Sequence, residues 1–207
     1  ALAGVVNIIT KKPGSGQQTT VGISGGNYSK NWSVGTNFGN SAIYLKKDYI
    51  GDVGRTSRDN ITNKNSNAAI QPYGLDKGNR DSLYFTTQLS DELNFNWSYT
   101  KLESNRPRYN VDASRYRLYK YDDVRNNLNL SYDDKDDNFK SILSFNKRHS
   151  YGDQYTYSTG KWGISERYDM YSINCDNQKT WKLRNDLDTL IAGVTVAQEH
   201  YNGLATS

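Results

Sequence analysis

Period-two alternation constrains this chain more than any other feature, because it recurs in segment after segment while helical signals are nearly absent. Thr19, Val21 and Ile23 alternate with Thr20, Gly22 and Ser24. Trp32, Val34, Thr36 and Phe38 alternate with Ser33, Gly35 and Asn37. The same pattern returns at Leu83, Phe85, Thr87 and Leu89, at Leu93, Phe95, Trp97 and Tyr99, and at Leu128, Leu130 and Tyr132. Successive side chains of a strand point to opposite faces. Each segment therefore offers one apolar face and one face rich in Asn, Ser, Thr, Gln and Gly. Longer, less regular segments lie near 139–149, 167–183 and 188–200, and 42–50 carries the weakest pattern. The expectation is an all-β fold of about nine strands.

Composition narrows what such strands can build. Hydrophobic residues are only 35% of the 207, and Tyr (17) far outnumbers Phe (5). That is too little Leu, Ile and Val to fill an ordinary two-sided core. Disorder is disfavoured by 13% aromatics and by β-formers in ordered runs. What fits is a β-structure that buries only one face. No apolar run approaches the ~18 residues of a membrane helix. The 26 basic and 22 acidic residues are interspersed for a net +4, which gives no basic stripe and no case for nucleic acid. Cys175 stands alone, so an intramolecular disulfide is excluded and a small hydrophobe on a strand is expected. The opening Ala-Leu-Ala-Gly-Val-Val reads as the middle of an element, so a fragment of a longer protein is expected.

The connections sharpen the reading. Short turns fall near 28–30, 39–41, 90–92, 133–138 and 184–186. Long polar stretches fall at about 51–80, 103–122 and 150–166. After the first hairpin, long and short connections alternate strictly. Short turns on one side and long loops on the other is the form of a barrel that crosses a membrane. A soluble sandwich has no reason to put every long loop at one end. Several strands are also longer than the five or six residues typical of globular sheets and reach the ~9–11 needed to cross a bilayer.

The first thirteen residues carry a more specific signal. Gly4, Val5, Val6, Asn7, Ile8, Ile9 and Thr10, followed by Lys11, Lys12 and Pro13, resemble the motif that closes the plug domain of TonB-dependent outer-membrane receptors. Read as residues, Val5, Val6, Ile8 and Ile9 make a short β-branched strand that Pro13 and Gly14 end. The resemblance implies two parts: 1–13 as the end of a plug, and 14–207 as the N-terminal portion of a larger transmembrane antiparallel β-barrel in the bacterial outer membrane. It implies TonB-dependent uptake of a scarce nutrient such as a ferric siderophore, haem or cobalamin. The implied partners are the TonB–ExbB–ExbD complex, reached through an N-terminal region absent from this sequence, and outer-membrane lipid and lipopolysaccharide. No enzyme activity, cofactor or resident metal is expected. The alternatives are a porin or barrel adhesin, and a soluble carbohydrate-binding β-sandwich.

Candidate ligand contacts sit on two of the long stretches. One holds Arg106, Arg108, Tyr109, Arg115, Tyr116, Arg117, Tyr119 and Tyr121. Arginine forks match carboxylates and other anions, and Tyr presents an apolar face with a polar tip. The other holds Tyr151, Tyr155, Tyr157 and Trp162. Asp133, Asp134, Asp136 and Asp137 read as a charged turn rather than a calcium site, and His149 and His200 as strand residues rather than metal ligands.

Overall fold

The computed structural model describes residues 17–26, 29–51, 77–110, 115–156, 159–183 and 188–205. These form one nine-stranded sheet, every strand antiparallel to the next and in sequence order. The strands are β1 (Gln18–Gly25), β2 (Ser29–Phe38), β3 (Ser41–Ile50), β4 (Lys77–Gln88), β5 (Leu93–Asn110), β6 (Arg115–Asp134), β7 (Phe139–Thr156), β8 (Lys161–Leu183) and β9 (Asp188–Ala205). β1 and β9 are its edges, so the sheet is not closed on itself. No helix and no second layer occur among the described residues. The motif at Gly4–Thr10 lies outside them.

The tight turns are explained by their residues. Phe38 pairs with Ser41, which leaves Gly39 and Asn40 as a two-residue loop. Gly39 takes φ +54°, as the first central position of a primed hairpin turn requires. Between Asp134 and Phe139 the loop ends on Asn138 at φ 50°, a conformation Asn tolerates. Asp134 accepts a hydrogen bond from the Asp137 backbone N–H at 2.9 Å. Lys140 reaches Asp133 at 3.3 Å and Lys179 reaches Asp137 at 2.9 Å. The acidic run is thus a charged turn, as expected, with lysines paired to two of its four aspartates. At the β4–β5 turn, Ser90 Oγ accepts from the N–H groups of Glu92 and Leu93 at 3.3 and 3.1 Å.

Two expectations need correction. The stretches at 103–122 and 150–166 are mostly strand, not loop. The β5–β6 ladder runs unbroken to Asn110–Arg115, and β7–β8 runs to Thr156–Lys161 with one bulge beside Gly152 and Asp153. The alternation fades there because both faces become polar, while the backbone pairing continues. Of the remaining long stretch, 51–80, residues 77–80 belong to β4, and 52–76 lie outside the described residues.

Candidate functional site

Paired residues across an antiparallel ladder share a face, so the register sorts every side chain. One face gathers Val21 and Ile23 (β1), Trp32 and Val34 (β2), Ile43 and Leu45 (β3), Leu83 and Phe85 (β4) and Phe95 and Trp97 (β5). It continues through Leu128 and Leu130 (β6), Leu143 and Phe145 (β7), Ile173 and Cys175 (β8) and Val194 and Val196 (β9). This apolar band is exposed: Ile23 is 83% accessible, and Val194 and Val196 are each 64%. Asn177 and Lys179 on β8 interrupt it, and Lys179 turns away to Asp137.

The band does not run straight across the ladder. The row of paired residues that starts at Val21 passes Val34, Leu45, Leu83 and Tyr99, then Asn126, Lys147, Tyr171 and His200. It begins apolar and ends polar. On β9 the apolar residues lie lower, from Leu190 to Val196. The band's centre therefore slips by about one residue per strand. With ~3.3 Å per residue and ~4.8 Å between strands, the strands tilt by roughly 35° from the normal to the band. Aromatics mark its borders, with Trp32, Tyr99 and Tyr171 above and Trp181 and the Tyr132–Phe139 pair (6.4 Å) below.

The opposite face inverts the usual order of burial. Among the described residues no hydrophobic side chain is buried, and the buried polar ones are Ser82, Ser104, Asp123, Ser150 and Ser172. All five lie on this amide-rich face. Asn127 donates to Ser98 Oγ at 3.0 Å and Asn146 to Ser172 Oγ at 3.1 Å. Tyr44 and Tyr84 meet at 6.2 Å over a hollow of about 640 Å³ lined in part by Thr86, Asn96, Ser98 and Asn129. Tyr44 lies directly opposite Gly35, and Tyr121 opposite Gly152. A Cβ on Gly35 would stand 2.9 Å from the Tyr44 ring, and one on Gly152 would stand 3.0 Å from Tyr121. The glycines make room for the rings.

The strongest charge cluster also lies on this face. Asp123 accepts from Arg125 Nε at 2.8 Å and Nη2 at 3.2 Å, and from Arg148 Nε at 2.8 Å and also Nη2. Arg148 stacks 4.9 Å from the Tyr168 ring centre. Arg125 and Arg148 sit directly opposite each other, a like-charge pair that is unfavourable alone and that Asp123 offsets. Sequence reasoning missed this cluster. Asp123 and Arg125 at i, i+2 share a face by alternation, but Arg148 joins them only through the β6–β7 register.

The expected ligand residues divide between the faces. Arg106 pairs with Tyr119, Arg108 with Arg117 and Tyr109 with Tyr116, and Arg115 with Asn110, at the far end of the β5–β6 arm. Tyr119 stacks on Tyr121 at 5.9 Å on the amide-rich face. Tyr151, Tyr155 and Trp162 instead share the face of the apolar band. Tyr155 meets Trp162 at 5.3 Å, Lys120 sits 4.7 Å over Trp162, and Arg167 sits 4.6 Å over Tyr151 while reaching Asp153 at 2.7 Å. Tyr157 lies outside the described residues. No group of metal-ligating side chains occurs among the described residues. His149 instead contacts Asp169, and His200 stacks on Tyr171 at 4.8 Å.

No known protein-family model matches the chain, and no curated protein matches it.

Proposed function

We propose that these nine strands are wall of a transmembrane β-barrel, with the apolar band against lipid and the amide-rich face towards an enclosed lumen. The observation that carries this reading is the band itself: exposed, present on every strand, and tilted by roughly 35° against the ladder, within the range that closed barrels adopt. Burial confined to small polar side chains on the other face supports it, since a soluble sheet would dry its apolar side first. Open edges at β1 and β9 need further strands to close.

Within that class the resemblance at Gly4–Thr10 favours a TonB-dependent receptor over a porin or adhesin. The function is then active uptake of a ferric siderophore, haem or cobalamin, with no covalent chemistry. On this reading, Tyr119 and the arm positions in register with it line the vestibule, together with Asp123, Arg125 and Arg148. Tyr151, Tyr155 and Trp162 face outward and do not contact ligand. The test is nutrient-limited growth of a strain lacking the gene. Loss of growth on one ferric siderophore, on haem or on cobalamin, restored by the gene only when TonB is present, is expected. Growth that is indifferent to TonB on all three overturns the receptor assignment.

A further inference from the structure

Between its aromatic borders at Tyr171 and Trp181, β8 places four side chains on the face of the apolar band: Ile173, Cys175, Asn177 and Lys179. The lower two are polar. Lys179 leaves the band, because its long stem reaches Asp137 at the turn below, at 2.9 Å. Asn177 is too short to do so, and it lies close to midway between the two borders. Among the described residues its one side-chain hydrogen bond goes to Cys175 Sγ at 3.4 Å, and a thiol is a weak acceptor. The carbonyl oxygen of the amide and its second N–H are left unmet. Across the ladder Asn177 stands between Ser141 on β7 and Val194 on β9. Leu143, Val194 and Val196 beside it are all exposed. Against acyl chains such an amide is costly. Strands that close the barrel beyond β1 and β9 would extend the wall sideways and cover none of it.

We propose that this patch, centred on Asn177 with Ser141 and Val194 beside it, is the contact through which two copies of the chain associate side by side in the membrane. The proposal rests on the membrane reading above and not on the receptor assignment. A carboxamide is its own complement, since its N–H groups fit the carbonyl oxygen of an identical group. A copy related by a two-fold axis along the membrane normal meets the patch with the same patch at the same depth. Each Asn177 then donates to the carbonyl oxygen of the other, and Leu143, Val194 and Val196 pack around the pair. Amide and hydroxyl side chains join membrane helices in this way, and small residues such as Ser141 and Cys175 let the two walls approach closely. An unrelated partner needs its own polar group at that depth, whereas a second copy supplies one by symmetry.

The test uses the full-length protein, labelled with donor or acceptor dye and reconstituted together into vesicles of a zwitterionic lipid. Energy transfer between copies is followed as the protein is diluted with lipid. Wild type is expected to show transfer above the random-collision level and to lose it on dilution as a dimer does. Asn177→Leu should shift that loss to about tenfold higher protein density, the size expected when two hydrogen bonds between copies disappear. Asn177→Gln keeps a self-complementary amide and should retain most of the association. Transfer at the random level for wild type overturns the proposal, as does an Asn177→Leu curve that superimposes on wild type. A monomer in pure vesicles that forms an Asn177-dependent complex of another mass in native membranes also overturns it, in favour of a different partner. Failure of the membrane reading is separately visible, because the wild-type protein would then not insert into vesicles at all.

Discussion

Along β5, the residues from Leu93 to Tyr99 and those from Lys101 to Asn105 obey one hydrogen-bonded ladder but face different surroundings. In the lower stretch one face is apolar and the other is amide-rich. In the upper stretch polar side chains appear on both faces, such as Lys101, which contacts Glu103, on one and Ser104 on the other. The β7–β8 arm repeats the division, with Phe145 and Ile173 below and the Tyr151–Arg167 contact above. The lesson is that the backbone pairing is indifferent to the medium while the side chains record it. On the membrane reading proposed above, a lipid slab imposes a band of fixed height on strands that continue beyond it.

The largest expected effect separates the halves with one chemical change. Leu130→Arg places a guanidinium inside the band, between Asn126 above and Tyr132 below, where the cost on a lipid-facing position is about 2–4 kcal/mol. Ile164→Arg makes the same exchange on the upper arm, on an exposed position, and should stay within about 0.5 kcal/mol. Denaturant unfolding of the full-length protein in lipid vesicles measures both. Equal costs at the two positions would mean that the band is no boundary, and the barrel reading would go with it.

The next effect concerns the amide-rich face. Asp123→Asn removes a side chain only 8% accessible that offsets two opposed guanidiniums. Arg125 is half exposed, so solvent screens part of the loss, and about 2 kcal/mol is expected rather than the full cost of a deeply buried pair. Adding Arg125→Gln should recover part of it, because the like-charge opposition with Arg148 disappears. A double variant as unstable as the sum of the two single ones would show that Asp123 is not acting between the arginines.

These comparisons also explain what could be read from the residues alone. The strands β1, β2, β4 and β5 and the short turns were legible because Val21, Val34, Phe85 and Trp97 alternate with small polar neighbours, and because Gly39-Asn40 and Asp133–Asn138 carry turn chemistry. The weak segment 42–50 is nonetheless a full strand, its pattern diluted by Tyr44 on the amide-rich face and Lys47 on the apolar one. The upper arms read as loops in the sequence because polar residues on both faces erase the period that alternation relies on. The tilt of the band and the Asp123 cluster were invisible for a different reason. Both depend on register between strands, and no single segment contains it.

The smallest expected effect compares two glycines of the amide-rich face, one beneath a ring and one not. Gly35 lies opposite Tyr44, and an added Cβ would sit 2.9 Å from the ring. The ring must then lift or rotate, and Gly35→Ala is expected to cost about 1 kcal/mol. Gly163, on the upper arm, has nothing within 4 Å of an added Cβ. There Gly163→Ala should stabilise by about 0.5 kcal/mol, since Ala has less backbone freedom to lose than Gly. Tyr44→Leu in the Gly35→Ala background provides the check: if the clash with the ring causes the loss, the smaller side chain should absorb most of it. A loss that persists unchanged would place the constraint in the Gly35 backbone instead, and the ring over the glycine would be a passenger.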